Sequence, residues 1–252
     1  QIARRIRHFR VEFLNPAGEW VTRWVGNGRL PRRARIALAI GPGDPKDLRV
    51  REVALLSSAI AHGNMPPKSI LSAKEFEEGG FPVDSYKRHV FVIDKSGSMR
   101  RNDLDPRRSR MDVAKEALFK TLSGMTEDQE FYIVFFNRDP EAMPVSMMLP
   151  ATPGNVNGLR GWIDSQNAQG GTNPSSALVQ AFEQEPDIIW LLSDGEFSRR
   201  VNQLVADMNP GRAVKINTLG FGTQWYFGSQ SLRRLATENG GSFTLVTPSS
   251  PR

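Results

Sequence analysis

The sequence predicts an α/β protein with a mostly parallel β-sheet covered by helices on both faces, preceded by a smaller antiparallel β module. Two observations carry this prediction. From residue 87 onward, short apolar runs alternate with segments whose apolar residues recur at helical spacing, and such alternation of strands and helices favours a parallel sheet. Before residue 63, apolar and polar residues alternate one by one, as in residues 9–13, which is typical of half-buried antiparallel strands.

Length and composition are those of a globular protein with one main domain and a smaller part. The 252 residues are 39% hydrophobic and 24% charged, and they exceed the usual domain size of about 100–150 residues. Residues 63–86 contain Pro66-Pro67 and Gly79-Gly80, which favours a linker. We therefore expect a β-rich module over residues 1–62, a linker over residues 63–86 and an α/β domain over residues 87–252.

Turn signals and apolar runs place the individual elements. In the N-terminal module, strands are predicted over residues 6–14, 20–25, 34–40 and 50–60. In the second domain, strands are predicted over residues 89–93, 131–136, 145–149, 188–192, 214–219 and 242–246. Helices are predicted over residues 111–122, 156–164, 176–183, 201–208 and 231–238. Trp162 and Ile163 are expected in the core.

A run of hard oxygen donors follows the first apolar strand of the second domain. Asp94, Ser96 and Ser98 occupy alternate positions of the segment DKSGSM. One carboxylate and two hydroxyls suit Mg²⁺, Ca²⁺ or Mn²⁺ and not zinc. By itself the run is also compatible with an ordinary turn rich in Ser, Asp and Gly.

Two later segments add donors of the same kind. Thr172 lies in the glycine-rich loop GGTN, and Asp194 follows the apolar run 188–192. In an open α/β sheet, ligands bind beyond the carboxyl ends of the strands, and both carboxylates lie at such ends. The three segments together therefore predict one divalent-metal site.

The order of these three segments resembles the von Willebrand factor A family and its metal-ion-dependent adhesion site. The resemblance covers about residues 87–247 and implies a Rossmann-like, doubly wound sheet. All five positions of the site match: Asp94, Ser96, Ser98, Thr172 and Asp194. The resemblance implies that these residues hold Mg²⁺, with Mn²⁺ or Ca²⁺ as alternatives, and that a protein partner supplies an Asp or Glu carboxylate to the open metal position.

The N-terminal module has a resemblance of its own. Gly18-Glu19-Trp20, Trp24 and the segment LPRRARI at residues 30–36 resemble the C-terminal sheet of a J-type minor pseudopilin of type II secretion, over about 60 residues. The hydrophobic N-terminal helix of that family is absent here. Together, the two resemblances favour metal-dependent protein binding in a bacterial envelope, secretion or surface assembly, with a cytoplasmic location still open. No apolar run approaches the roughly 18 residues of a membrane span.

The basic charge lies mostly in the N-terminal part. Residues 1–86 hold 14 Lys/Arg and 9 Asp/Glu, so they carry +5 of the net +6. One interpretation is a nucleic-acid-binding scaffold. We favour the solvated face of a twisted sheet, because the arginines alternate with apolar residues and no nucleic-acid motif accompanies them, and we expect no specific nucleic-acid binding.

Catalysis is the remaining alternative. A metal-dependent hydrolase would need a general base, and none lies near Asp94 and Ser96 in the sequence. The three histidines share no metal-ligand spacing, and the absence of cysteine excludes thiolate chemistry. We therefore expect a binding protein and not an enzyme. Five arginines around the first metal loop, at positions 100, 101, 107, 108 and 110, either steer an acidic partner or form part of an exposed loop of mixed charge.

Overall fold

The computed structural model describes residues 6–14, 20–22, 33–40, 49–54, 69–83, 85–194, 197–198, 200–222 and 229–249. The chain divides into two compact units, residues 1–65 and residues 66–252. Each unit contains its own β-sheet.

The first unit contains a four-stranded antiparallel sheet, which confirms the predicted β module. Its strands are β1 (Ile6–Leu14), β2 (Trp20–Val21), β3 (Arg33–Ile40) and β4 (Arg49–Ala54), in the order β2-β1-β3-β4. The ends of two predicted strands, residues 23–25 and 55–60, lie outside the described residues. The resemblance of this unit to a pseudopilin stays a prediction.

One arginine of the first unit has a structural role. Arg35 on β3 lies opposite Glu12 on β1, and its Nε donates a 2.5 Å hydrogen bond to Glu12 Oε2. The guanidinium also lies 4.7 Å from the centre of the Trp20 ring. Because Glu12 is buried, this arginine compensates a buried carboxylate and is not simply part of a solvated basic surface.

The second unit contains a mostly parallel sheet. Its eight described strands are β5 (Ser69–Ser72), β6 (Arg88–Asp94), β7 (Glu130–Phe136), β8 (Pro140–Ala142), β9 (Leu149–Pro150), β10 (Ile188–Ser193), β11 (Lys215–Phe221) and β12 (Phe243–Thr247). The order is β5-β12-β11-β10-β6-β7-β8, with β8 and β9 both antiparallel to β7. The central strands β6, β7 and β10 are mostly apolar, and all six residues of β10 are buried. That pattern is expected for a sheet with both faces covered.

Six described α-helices flank this sheet in two groups. They are α1 (Ala73–Gly79), α2 (Arg110–Gly124), α3 (Pro153–Ser165), α4 (Ser175–Glu183), α5 (Arg200–Met208) and α6 (Ser229–Glu238). Helix α2 contacts α1 and α3, whereas α5 contacts α4 and α6. The chain adds strands in one direction from β6 to β7 and in the other from β10 to β12, and right-handed crossovers in opposite directions place their helices on opposite faces. None of the described helices combines the length and the apolar composition that a membrane span requires.

The prediction of a linker is wrong for residues 69–79, which the structure describes as a strand and a helix. Residues 69–72 form β5, which pairs in parallel with β12 at the edge of the sheet, and residues 73–79 form α1. Ser72 caps this helix, since its Oγ accepts from the N–H of Glu75 and Glu75 bonds back to the N–H of Ser72. Gly79 ends α1 and Gly80 caps it, so this glycine pair does not mark a free linker, while Pro66-Pro67 lie outside the described residues.

One predicted strand is also displaced. The sequence predicts a strand over residues 145–149, but the strands beside β7 are residues 140–142 and 149–150. Val145 and Met147 are 36% and 67% exposed, so their apolar alternation does not face a core. Pro144 lacks the N–H that a strand in this position would donate. The other predicted elements of the second unit agree within a few residues, and Ile163 is fully buried while Trp162 packs against Phe135.

The segment over residues 69–83 is expected to stabilise the second unit. Phe81 is 1% exposed and packs edge-on against the rings of Phe76, Phe91 and Trp190. Phe81→Ala should therefore lower the free energy of unfolding by about 3–5 kcal/mol in urea denaturation followed by circular dichroism. Ile70→Ala is the control, because Ile70 belongs to the same segment and is 61% exposed, and it should cost less than about 1 kcal/mol. Equal effects of the two substitutions would contradict a packed role for this segment.

Candidate metal centre

The predicted site lies where the direction of strand addition reverses. Strands β6 and β10 are parallel neighbours, with Ile93 opposite Leu192. Asp94 ends β6, and Asp194 directly follows the end of β10. The two carboxylates therefore lie beyond the carboxyl ends of adjacent strands, which is the usual ligand position in open α/β sheets.

The carboxylate of Asp94 is fully buried and held by two donors. The Ser193 hydroxyl donates a 2.6 Å hydrogen bond to Asp94 Oδ2, and the backbone N–H of Ser96 donates a 2.7 Å hydrogen bond to Oδ1. Burial raises the pKa of Asp94 to about 6. The nearby charge of Asp194 adds to this rise, whereas the hydrogen bonds from Ser193 and Ser96 lower the pKa. The site thus keeps a carboxylate in place whose ionisation is costly without a compensating positive charge.

The two serines present their hydroxyls side by side. Ser96 Oγ and Ser98 Oγ are 2.9 Å apart. Ser96 precedes a short 3₁₀ turn over Gly97–Arg100, and the fully buried Met99 side chain fixes that turn in the core. This anchoring leaves both hydroxyls on the loop that follows Asp94.

Backbone hydrogen bonds join the serine loop to the glycine-rich loop. The N–H of Gly97 donates to the carbonyl of Gly170 at 3.0 Å, and the N–H of Gln169 donates to the carbonyl of Lys95 at 2.7 Å. Gly170 has φ +78°, a conformation that side chains disfavour. Half-buried Thr172 lies two residues beyond this junction, so the fold brings its loop to the loop of Asp94, Ser96 and Ser98.

A buried lysine network that the sequence did not indicate supports this junction. The side chain of Lys95 is 7% exposed and pairs with Glu141. Its Nζ also donates a 2.9 Å hydrogen bond to Gln166 Oε1, while Gln166 Nε2 donates to Glu141 Oε1 at 2.8 Å. The hydrogen bond from Lys95 lowers the pKa of Glu141. The three side chains connect the loop of Asp94, Ser96 and Ser98 to β8 and to the end of α3.

Arg110 departs from both expectations for the arginines of this region, namely that they steer an acidic partner or belong to an exposed loop of mixed charge. Its side chain is 4% exposed and donates two hydrogen bonds to Asp103, from Nε to Oδ1 at 2.8 Å and from Nη2 to Oδ2 at 2.6 Å. Arg108 is also engaged, because its Nη1 lies 2.6 Å from Glu77 Oε1. Only tertiary structure could reveal these pairings, since Glu77 belongs to the segment predicted as linker.

The carboxylate of Asp194 is nearly buried and incompletely paired. Its side chain is 8% exposed, and Oδ2 lies 3.5 Å from Arg110 Nη1. Among the described residues, Asp194 Oδ1 has no hydrogen-bond partner. The adjacent Gly195 and Glu196 lie outside the described residues. A buried carboxylate oxygen without a partner is costly and fits a position that faces a cation.

The donor set fits a hard divalent cation. It consists of two carboxylates and three hydroxyls, and Mg²⁺ is usually held by one or two carboxylates with oxygen ligands completing the shell. Within the described part of the chain, no group of three or more His, Cys, Asp or Glu side chains could hold a metal. A cation at this position would therefore depend on the serine and threonine hydroxyls as well as on the carboxylates.

Comparison with known proteins finds one domain family. The sequence model of the von Willebrand factor type A domain family matches residues 89–196 of this chain. Inter-alpha-trypsin inhibitor heavy chain H4 of Bos taurus is 31% identical over 173 residues, which is 62% of this chain and 18% of that protein. The Homo sapiens heavy chain H4 is 31% identical over 174 residues, with the same coverage of 62% and 18%. The chain thus spans less than a fifth of the length of these relatives.

Solved structures show the same fold. A von Willebrand factor type A protein from Catenulispora acidiphila has a TM-score of 0.55 at 19% identity, covering 95% of this chain and 45% of that chain. The conserved hypothetical protein BatB from Bacteroides thetaiotaomicron has a TM-score of 0.55 at 15% identity, covering 65% of this chain and 91% of that chain. At these identities the likeness concerns the fold.

The raised pKa of Asp94 predicts a pH-dependent stability of the metal-free protein. The pKa is about 6 in the folded state and about 3.9 in an unfolded chain, so the folded state binds this proton more tightly. The resulting stabilisation is fully present below about pH 4 and is lost as the pH rises through about 6. In urea denaturation with EDTA, the wild type should lose on the order of 2 kcal/mol between pH 4.5 and 7.5 relative to Asp94→Asn.

The asparagine variant is the matched control because it keeps the shape of the side chain and cannot ionise. Identical pH dependence of the wild type and Asp94→Asn would show that Asp94 does not titrate in this range.

Proposed function

The chain contains a von Willebrand factor type A domain, and from this premise we propose that the domain binds a protein partner through a divalent cation. Asp94, Ser96, Ser98, Thr172 and Asp194 would hold the cation. We propose Mg²⁺, with Mn²⁺ or Ca²⁺ as alternatives. One ligand position would stay open for an Asp or Glu carboxylate of the partner.

A single observation carries the proposal. At the carboxyl ends of the paired strands β6 and β10, the buried Asp94 carboxylate adjoins the Ser96 and Ser98 hydroxyls, and the charge of Asp194 acts on Asp94. Asp194 Oδ1 has no hydrogen-bond partner among the described residues. Buried carboxylates require a positive charge or hydrogen-bond donors. Hydroxyls supply neither a negative charge nor a soft ligand, so the set suits a hard cation that retains affinity for a further anionic oxygen.

When bound, the cation would supply a Lewis-acidic position that accepts an acidic side chain. The residues of the chain orient the ligands and hold the loops that carry them. Ser193 and the Ser96 N–H orient Asp94, the junction at Gly97 and Gly170 holds Thr172 nearby, and Lys95 braces that junction through Glu141 and Gln166.

We propose binding without catalysis. Of the three histidines, His89 is the one whose side chain is described, and it is fully buried. It lies five residues before Asp94 on β6, accepts a hydrogen bond from Trp190 Nε1 and contacts the carbonyl of Tyr86. It is thus a core residue toward the opposite end of the strand and not a base beside the site. The expected setting in a bacterial envelope, secretion or surface assembly stays a prediction.

Metal binding is testable by calorimetry with Mn²⁺. Asp94→Ala and Asp194→Ala should each weaken Mn²⁺ binding by about 100-fold or more, because each removes a carboxylate from the proposed shell. Glu127→Ala is the control, since Glu127 is an exposed acid in the turn before β7. This variant should bind Mn²⁺ with the affinity of the wild type. Unchanged affinity in both aspartate variants would refute the proposed ligand set.

Partner binding should require the cation. Proteins captured from extracts of the source organism by the immobilised chain in Mg²⁺ should be released by EDTA, and Thr172→Ala should capture less of them than the wild type. In a purified partner, changing a single Asp or Glu to its amide should abolish binding. Binding that survives EDTA, or that depends on no single acidic residue, would show that the cation has only a structural role.

A further inference from the structure

Arg110 lies where three loops of the second unit meet. It is the first residue of α2, and its guanidinium contacts Asp103 in the loop after the 3₁₀ turn. On a second side it approaches Asp194 after β10. On a third side the backbone of Gly222, after β11, lies so close that a Cβ there would be 3.2 Å from Arg110 Nη2.

Asp103 fixes the position of the guanidinium. Two hydrogen bonds of 2.8 and 2.6 Å form a bidentate pair, the geometry that gives arginine–carboxylate pairs their directional strength. Hydrogen bonds from Arg110 lower the pKa of Asp103, so this carboxylate is ionised under physiological conditions. The pair holds the guanidinium rigidly through Nε and Nη2, and Nη1 is directed away from Asp103.

That third nitrogen faces the proposed metal ligand. Nη1 lies 3.5 Å from Asp194 Oδ2, a distance at which a hydrogen bond is weak but the attraction between opposite charges is large in a buried setting. Within the described residues, neither Arg110 Nη1 nor Asp194 Oδ1 has a hydrogen-bond partner. Each side chain is more than nine-tenths buried. Both groups therefore have unused capacity at the metal site.

We propose that Arg110 is a positioning residue that sets the charge of the metal centre. Its guanidinium, fixed by Asp103, holds the Asp194 carboxylate when no cation is bound. When no partner is bound, this fixed positive charge weakens the binding of the cation. The same charge strengthens the binding of an anionic ligand to the cation-loaded site. The inference rests on the proposed function and concerns how the fixed charge of Arg110 sets the affinity of that site for the cation.

Substitutions of Arg110 and of Asp103 should have opposite effects on the affinity for Mn²⁺. Removing the positive charge in Arg110→Gln should tighten Mn²⁺ binding by about tenfold, whereas Asp103→Asn, which frees the charge of Arg110, should weaken it by about as much. The double variant removes both charges and should bind Mn²⁺ within about threefold of the wild type. A purely structural role would weaken binding in all three variants. Calorimetric titration with Mn²⁺ distinguishes these patterns, and weakening in all three would overturn the proposal.

A double-mutant cycle without metal keeps this inference separate from the proposed function. In EDTA, Asp194→Asn should cost more stability in the wild type than in Arg110→Gln, because only the former retains the facing cation. Urea denaturation measures both differences, and the absence of coupling would overturn the proposal. If the wild type fails to bind Mn²⁺ while this coupling is present, the proposed function fails and the contact of Arg110 with Asp194 stands. If Arg110→Gln does not fold, Arg110→Met takes its place in the cycle, since methionine fills the space of the apolar stem without the charge, and it should reduce the cost of Asp194→Asn in the same way.

Discussion

The parallel pairing of β6 with β10 is the constraint on which the site depends. These strands are far apart in sequence, and their pairing places Asp94 beside the end of β10. The hydrogen bond from Ser193 to Asp94 joins the two strand ends through side chains buried completely in the sheet. Because both strands are covered on both faces, a shift in register would carry a carboxylate into an apolar core, which is strongly disfavoured.

The site concentrates charge in a region from which water is largely excluded. Asp94 receives hydrogen bonds but no direct cation from its described neighbours, and burial accordingly raises its pKa. Asp194 has a cation close by in Arg110, at a distance longer than a good hydrogen bond. The two carboxylates are therefore stabilised unequally, Asp94 by oriented dipoles and Asp194 by a fixed charge, and a divalent cation between them would compensate both.

The surrounding structure restricts the loops that present the donors. Two backbone hydrogen bonds join the serine loop to the glycine-rich loop, and the pair of the buried Lys95 with the half-exposed Glu141 adds a third contact. A buried ammonium group is costly unless it is paired, so these interactions favour one arrangement of the loops. Such preorganisation is what a site of a few hydroxyls needs, because hydroxyls contribute little affinity unless they are already placed.

The sequence by itself determined the fold class and most element positions, and it predicts the five ligands of the proposed site. Apolar periodicity and turn residues are local signals, and the donors of the site stand beside strand ends that such signals locate. Tertiary structure alone decided that residues 69–79 form a strand and a helix of the second unit, because β5 is short and is specified by its pairing with β12. It also decided that Arg110 is buried and that Lys95 pairs with Glu141. A charged residue in a loop has the same local pattern whether it is solvated or paired, and only partners distant in sequence determine which of the two occurs.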